Sequence, residues 1–239
     1  DRDFIWYLYR YSHLGLFQMA KLVYKHSNKY TANGKRLIAM APPLSSLACF
    51  NHINAIEPIV AGLSSQCYQV CADNKLFFAK QAATTNESII SRHAALQNIS
   101  PKVIYHDQHW LITHFIDGKN LAIGSQTIND KILLSIQLMT QCHQLTTTPA
   151  KLEPKFITDA LIQNSSFSSL KKTELLSLAN RLISSLKHDK NLVCCHGDLN
   201  FSNIVVNQKK IAYLVDFECA CAAPVEYDLA MFIAVNNLA

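Results

Sequence analysis

His196-Gly197-Asp198-Leu199-Asn200-Phe201-Ser202-Asn203 runs into apolar Ile204-Val205-Val206, and thirteen residues beyond Asn203 comes Asp216, within Leu214-Val215-Asp216-Phe217-Glu218. Nothing else in the chain concentrates polar side chains so densely. Leu192 to Cys195 and Ile211 to Val215 read as short strands, so each polar cluster stands at a strand end, the usual place for chemistry. The oxygens of Asn203 and Asp216 suit Mg²⁺, which keeps several waters and is completed by substrate phosphates rather than by a protein cage. Asp198 lacks that task and is free to accept a proton.

This string resembles the family of aminoglycoside phosphotransferases and choline or thiamine kinases, relatives of the protein kinases. The family's His-x-Asp-x-x-x-x-Asn loop is matched by His196, Asp198 and Asn203, and its second metal motif by Leu214 to Glu218. The Asp-Phe-Glu form looks more like the choline and thiamine kinase branches. The resemblance implies an α+β, two-lobed protein-kinase-like fold with a small β-rich N-terminal lobe and a helical C-terminal lobe. It further implies ATP and Mg²⁺ as cofactors and transfer of the γ-phosphoryl to the hydroxyl of a small molecule. On this basis Asp198 is the catalytic base, Asn203 and Asp216 hold the metal, and His196 braces the loop. Glu226-Tyr227-Asp228-Leu229-Ala230 is similar to the family's Tyr-Asp-Leu-Ala segment, which makes Asp228 a structural acid. His143, in Gln141-Cys142-His143-Gln144-Leu145, resembles the family's Leu-His-x-Leu helix end and reads as a packed histidine.

Upstream the resemblance continues from about Leu44. Gly62-Leu63-Ser64-Ser65-Gln66-Cys67-Tyr68 resembles the nucleotide loop, with Ser64 and Ser65 among the groups that cover phosphates. Lys80, ending Phe77-Phe78-Ala79-Lys80, fits the lysine that contacts the α- and β-phosphates, and Glu87 fits its ion-pair partner, although their spacing is shorter than is common in the family. Glu87 serves equally as a favourable acid in the first turn of a helix. Trp110 to Ile116, followed by Asp117-Gly118, looks like the hinge strand, whose backbone, at Phe115, binds adenine.

The hydrophobic pattern fills in the rest. Leu44, Leu47, Phe50, Ile53 and Ile56 follow a helical spacing that Pro58 stops, which predicts a short helix. Gln66 to Ala72 and Lys75 to Gln81 are two strands joined by the hairpin turn Asp73-Asn74. Glu87 to Gln97 reads as a helix, Lys102 to His106 as a strand, and Thr127 to Leu145, Lys171 to Lys187 and 225–239 as helices. The expected organisation is a poorly defined extension over 1–43, a nucleotide-binding lobe over 44–118 and a catalytic lobe over 119–239.

The 239 residues are 49% hydrophobic and 16% charged, which excludes a disordered chain and a disulfide-held mini-protein. The longest uncharged run, Leu37 to Ile56, is interrupted by Pro42-Pro43 and by Asn51, His52 and Asn54, so no membrane span or secretory signal is expected. The net charge of +5 is concentrated at the start: residues 1–60 hold seven Lys/Arg against three Asp/Glu, and the remainder fifteen against fourteen. Residues 191–239 carry Lys209 and Lys210 against Asp198, Asp216, Glu218, Glu226 and Asp228, the wrong sign for nucleic acid around the candidate site. It is the sign that favours a cationic acceptor such as choline, thiamine or an aminoglycoside. The eight cysteines form no paired C-x2-C zinc framework and read as buried thiols in a reducing compartment, which places the chain in the cytoplasm.

The chain starts at Asp1 without an initiator Met and stops inside the expected 225–239 helix, which leaves a fragment or a processed product as the expectation; the resemblance implies further helices that wall the acceptor site after the Tyr-Asp-Leu-Ala segment. Oligomeric state has no signature here. Two rivals stay open: an inactive kinase-like nucleotide-binding module, allowed by the glycine-poor loop and the Lys80 to Glu87 spacing, and a nucleic-acid binder using the basic first 60 residues.

Overall fold

The stretch with helical spacing from Leu44 to Ile56 forms one 3-10 turn, Leu44–Ser46, and then strand β1, Ile53–Ile59, so no short helix precedes the first sheet. The branched side chains of Ile53, Ile56 and Ile59 favour extended backbone, and pairing with a neighbouring strand outweighs one apolar stripe. Pro58 does not stop the element, because β1 lies at a sheet edge, where a missing N–H is tolerated. The computed structural model describes residues 43–59, 66–81, 84–147, 149–185 and 191–238. Ser64, Ser65 and all of the 1–43 extension but its last residue lie outside the described residues.

Strands β2 (Cys67–Ala72) and β3 (Lys75–Gln81) pair antiparallel from Ala72↔Lys75 to Cys67↔Lys80. Asp73 and Asn74 both take positive φ, 50° and 59°, the handedness that a two-residue hairpin needs. The Asp73 carboxylate also accepts the N–H groups of Asn51 and His52 at 3.0 and 2.9 Å, which fixes the entry to β1 beside this turn. With β4 (Val103–His106) and β5 (Trp110–His114) these strands complete an antiparallel sheet of order β1-β2-β3-β5-β4. Its core is Leu44, Leu47, Phe50, Val70, Phe77, Trp110 and Ile112 with smaller neighbours, the Phe50 and Phe77 rings meeting edge-on at 5.3 Å.

Helix α1 (Thr85–Leu96) crosses beside β4 and starts two residues ahead of Glu87, because Thr84 caps it by accepting the Glu87 N–H at 3.0 Å. Helix α2 (Ile128–His143) follows the expected pattern behind the cap Thr127. A three-stranded sheet of order β6-β8-β9 brings together β6 (Gly118–Asn120), β8 (Ile204–Asn207) and β9 (Ala212–Leu214), while β7 (Val193–Cys195) pairs antiparallel with β10 (Cys221–Ala223). Helix α5 (Val225–Val235) packs on β7. One core joins Ile90 and Ala94 of α1, Leu138, Met139 and Cys142 of α2, and Leu199, Ile204, Leu214, Phe217 and Phe232.

Helices α3 (Pro154–Asn164) and α4 (Ser169–Ser185) lie in the stretch 152–190, which belongs to a compact unit separate from the one that holds the sheets. They pack on each other, and Lys155 donates to both Asp159, at 2.7 Å, and Asn180, at 2.9 Å. Among the described residues no helix is long and apolar enough to cross a membrane. None of the eight cysteines is in a disulfide, and Cys49, Cys71 and Cys219 are only half-buried.

Candidate active site

Strand β7 delivers the chain into a tight turn. Gly197 has φ +75°, and a Cβ there would collide with the Cys219 carbonyl oxygen, so only glycine fits. The turn is fastened from α5: Asp228 accepts the N–H of His196 on Oδ2 at 2.9 Å and that of Gly197 on Oδ1 at 2.8 Å. His143, at the end of α2, donates Nε2–H to the same Oδ2 at 3.0 Å. Burial alone would raise the Asp228 carboxyl, but the hydrogen bond from His143, the nearby His196 ring and the two backbone N–H groups hold it below the ordinary carboxylate value.

The His196 ring is fully buried and places a proton on Nε2, since that nitrogen faces the Val215 carbonyl at 3.1 Å while Nδ1 faces the Asp198 N–H at 3.4 Å. It thereby joins the loop of Asp198 to the strand end before Asp216. Asp198 is itself fully buried; Asn200 donates to its Oδ1 at 3.2 Å and Asn203 to its Oδ2 at 3.3 Å. Asn203 also donates to the Asp198 carbonyl at 2.9 Å, which spends its amide NH₂ on the loop and leaves its amide oxygen as the group that can take a cation.

Asn200, which the motif leaves as an intervening residue, caps the 3-10 turn Phe201–Asn203 by accepting the N–H groups of Ser202 and Asn203 at 2.9 and 3.1 Å. An Asn ahead of a short turn was the signal available for it. Asn236, beyond α5, grips the same loop, accepting the Phe201 N–H at 2.9 Å and donating to the Leu199 carbonyl at 3.0 Å.

Asp216 sits next to this loop because Val215 donates its N–H to the Asn203 carbonyl at 3.0 Å. Asp216 adopts the left-handed conformation, φ 66° and ψ 65°, and its Oδ1 lies 2.7 Å from Lys80 Nζ. Lys80 comes from β3 with 5% exposure and meets two more carboxylates, Glu87 Oε1 at 2.6 Å and Glu218 Oε2 at 3.1 Å. The short sequence spacing between Lys80 and Glu87 therefore does not prevent the pair. Burial works against the Lys80 charge, but Glu87, Asp216 and Glu218 outweigh it and push the ammonium well above its ordinary value. For Glu87 burial dominates and raises the carboxyl despite Lys80. Its Oε2 is buried without a hydrogen-bond partner.

The expected residues thus fall into two contacting groups, Lys80 with Glu87 and Asp216, and Asp198 with Asn203, joined through Val215. Glu218, read from the sequence only as local negative charge, binds Lys80 directly. Phe115 stands just past β5 and donates its N–H to the Leu76 carbonyl at 3.0 Å, which spends that donor on the sheet. His143, Cys195 and Asp228 bring three metal-type ligand atoms within 4.8 Å of one another. Each already has a protein partner, Cys195 through the Pro224 carbonyl at 3.5 Å, so this trio explains itself as loop support.

The model of the phosphotransferase enzyme family matches residues 56–238. No match was found among curated proteins. Among solved structures the chain is similar to choline kinase LicA from Streptococcus pneumoniae, with TM-score 0.63 and 15% identity over 79% of this chain and 72% of that one. It is also similar to an ethanolamine kinase from Plasmodium vivax, with TM-score 0.58 and 19% identity over 73% of this chain, and it spans only 58% of that kinase. Spectinomycin phosphotransferase bound to AMP matches at TM-score 0.52 and 19% identity over 76% of this chain and 69% of that one. At these identities the likeness is one of fold, the kinase-like arrangement of an antiparallel sheet followed by a mainly helical part.

Proposed function

The chain belongs to the phosphotransferase enzyme family, and from that premise we propose that it transfers the γ-phosphoryl of ATP, with Mg²⁺, to the hydroxyl of a small cationic molecule of the choline, thiamine or aminoglycoside type. The observation that carries the reading is the 2.7 Å contact between Lys80 of the sheet and Asp216 of the loop beside Asp198. It puts a phosphate-seeking cation and a metal-seeking carboxylate at one point.

The residues fit a divalent cation by their charge and their donors. Lys80 is one positive charge among Glu87, Asp216 and Glu218, an excess of negative charge that a cation would offset, and Asn203 and Asp216 offer hard oxygens from adjoining backbone. Bound there, Mg²⁺ would neutralise phosphate charge during transfer. Lys80, kept charged by its three carboxylates, would hold the phosphates, and Glu87 would keep it in line. Asp198 would orient the acceptor hydroxyl and take its proton, its carboxylate aimed by Asn200 and Asn203. The carbonyl of Phe115 would face adenine, and Ser64 and Ser65 would cover the phosphates.

Structures of relatives with AMP or with ADP and spectinomycin support nucleotide binding by this fold. The division into a nucleotide-binding part over 44–118 and a catalytic part over 119–239, and a cytoplasmic setting for a chain with eight thiols, are parts of the same proposal. The inactive-module reading loses one of its two grounds, since Lys80 and Glu87 do pair.

ATP consumption with Mg²⁺ over a panel of choline, ethanolamine, thiamine and aminoglycosides tests the proposal, with Asp198→Ala beside the unaltered chain. Turnover on one acceptor that is lost in the variant supports it and names the substrate. Nucleotide binding without turnover on any acceptor favours the inactive module, and no nucleotide binding overturns the reading.

A further inference from the structure

Asn86 stands one residue before Glu87 in the first turn of α1, and no motif includes it. Both ends of its amide are used: Nδ2 donates to the Ala220 carbonyl at 2.9 Å, and Oδ1 accepts the Ala150 N–H at 3.3 Å. Ala220 closes the 3-10 turn Phe217–Cys219 that follows Asp216 and contains Glu218. The Ala150 carbonyl in turn accepts the Ala222 N–H at 2.8 Å, and Lys151 bridges to Ala222. One side chain therefore bolts the start of α1 to two backbone segments that are already joined. On the next turn of the helix Ile90 packs into the core that holds Phe217 and Ala220.

We infer that Asn86 is a positioning residue, whose amide holds α1 against the loop of Asp216 and Glu218 so that Lys80 meets Glu87 and Asp216 at once. The role rests on the phosphotransfer reading above. Contacts of 2.6 and 2.7 Å from one ammonium to carboxylates on two separate elements leave little slack, and an ångström of drift in α1 would break one of them. The chemistry requires an amide. A carboxylate at this position would still accept from Ala150 but would set an acceptor against the Ala220 carbonyl, and a hydroxyl could reach neither partner at the same length. Thr84 caps α1 independently, so the helix itself survives loss of the amide.

Asn86→Asp and Asn86→Ser test this against the unaltered chain by hydrogen exchange, by ADP affinity with and without Mg²⁺, and by turnover. We expect faster exchange in 85–96 and in 217–223 together, and metal-free ADP affinity within about twofold of the original. The gain in affinity on adding Mg²⁺ and kcat should both fall, by roughly tenfold to a hundredfold, the scale of ångström misplacement in an active site. A merely structural residue would lower the melting temperature and leave the Mg²⁺ gain intact. Exchange that rises in α1 alone, or an unchanged Mg²⁺ gain in the variants that fold, overturns the inference. If the unaltered chain neither binds nucleotide nor turns over, the functional reading falls, and the exchange comparison alone decides whether Asn86 links the two segments.

Discussion

Gly197 donates its N–H to Asp228 Oδ1 at 2.8 Å from the left-handed conformation, so the turn ahead of Asp198 is held open by a carboxylate 31 residues away. Asp228→Asn keeps the shape but turns one acceptor into a donor facing an N–H group. It should cost about 3 kcal/mol of stability, the scale of hydrogen bonds to a buried charge. Because the native carboxyl is depressed, its contribution is present above the unfolded value near 3.9 and lost as pH falls through the lower folded value. Denaturant unfolding of the two proteins should give a constant gap at neutral pH that narrows below about pH 4; a gap indifferent to acid would remove the charge from the explanation.

Lys80→Met removes the ammonium shared by three carboxylates and should destabilise by about 3–5 kcal/mol. The double variant with Glu87→Gln should recover a good part of the loss, because Glu87 is the carboxylate that burial penalises most directly. Without Lys80 the Glu87 carboxyl rises further, so the single variant loses stability as pH climbs through that raised value and should be firmer at pH 5 than at pH 7. Equal loss in single and double variants would contradict this.

Glu218→Gln leaves Lys80 with Glu87 and Asp216 and removes one negative charge beside it. Metal-free ADP affinity should rise about threefold, the worth of a partly exposed ion pair, while the gain from Mg²⁺ shrinks. Calorimetric titration with and without the metal separates the two effects, and a fall in metal-free affinity would show that Glu218 is needed to hold Lys80 in place.

Cys67 lies directly across from Lys80 in the β2–β3 pairing, and burial first, with Asp216, Glu87 and Glu218 adding to it against Lys80, raises its thiol above the ordinary value. Alkylation by iodoacetamide should therefore be slow at pH 7, speed up as pH rises toward the raised value, and be suppressed by ADP. Mass-spectrometric labelling that ADP leaves unchanged would place the nucleotide elsewhere.

The candidate string is legible because its parts lie close in sequence: the contacts among His196, Asp198, Asn203 and Asp216 arise from short loops between strands, and such loops carry their geometry in the sequence. The Asp73-Asn74 hairpin was readable for the same reason. β1 departs from the helical expectation because Leu44, Leu47, Phe50, Ile53 and Ile56 happen to recur every third residue, and only the presence of β2 as a partner decides for a strand. Helix α3 begins at Pro154 with no side-chain cap, so it lacks a start signal beyond the proline itself. The contact between Glu218 and Lys80 spans 138 residues, and Asn86 works through backbone atoms of Ala150 and Ala220 that no residue type announces.

Strand β1 has a consequence for the behaviour of the molecule in concentrated solution. Among the described residues, one edge of the five-stranded sheet is β4, with α1 beside it, and the other is β1, exposed through most of its length. A bare edge invites strands of other chains, yet Glu57 and Pro58 stand in the middle of this one, a charge and a residue that cannot donate. Replacing the pair with valines would turn a self-limiting border into a template for aggregation while leaving the candidate site untouched.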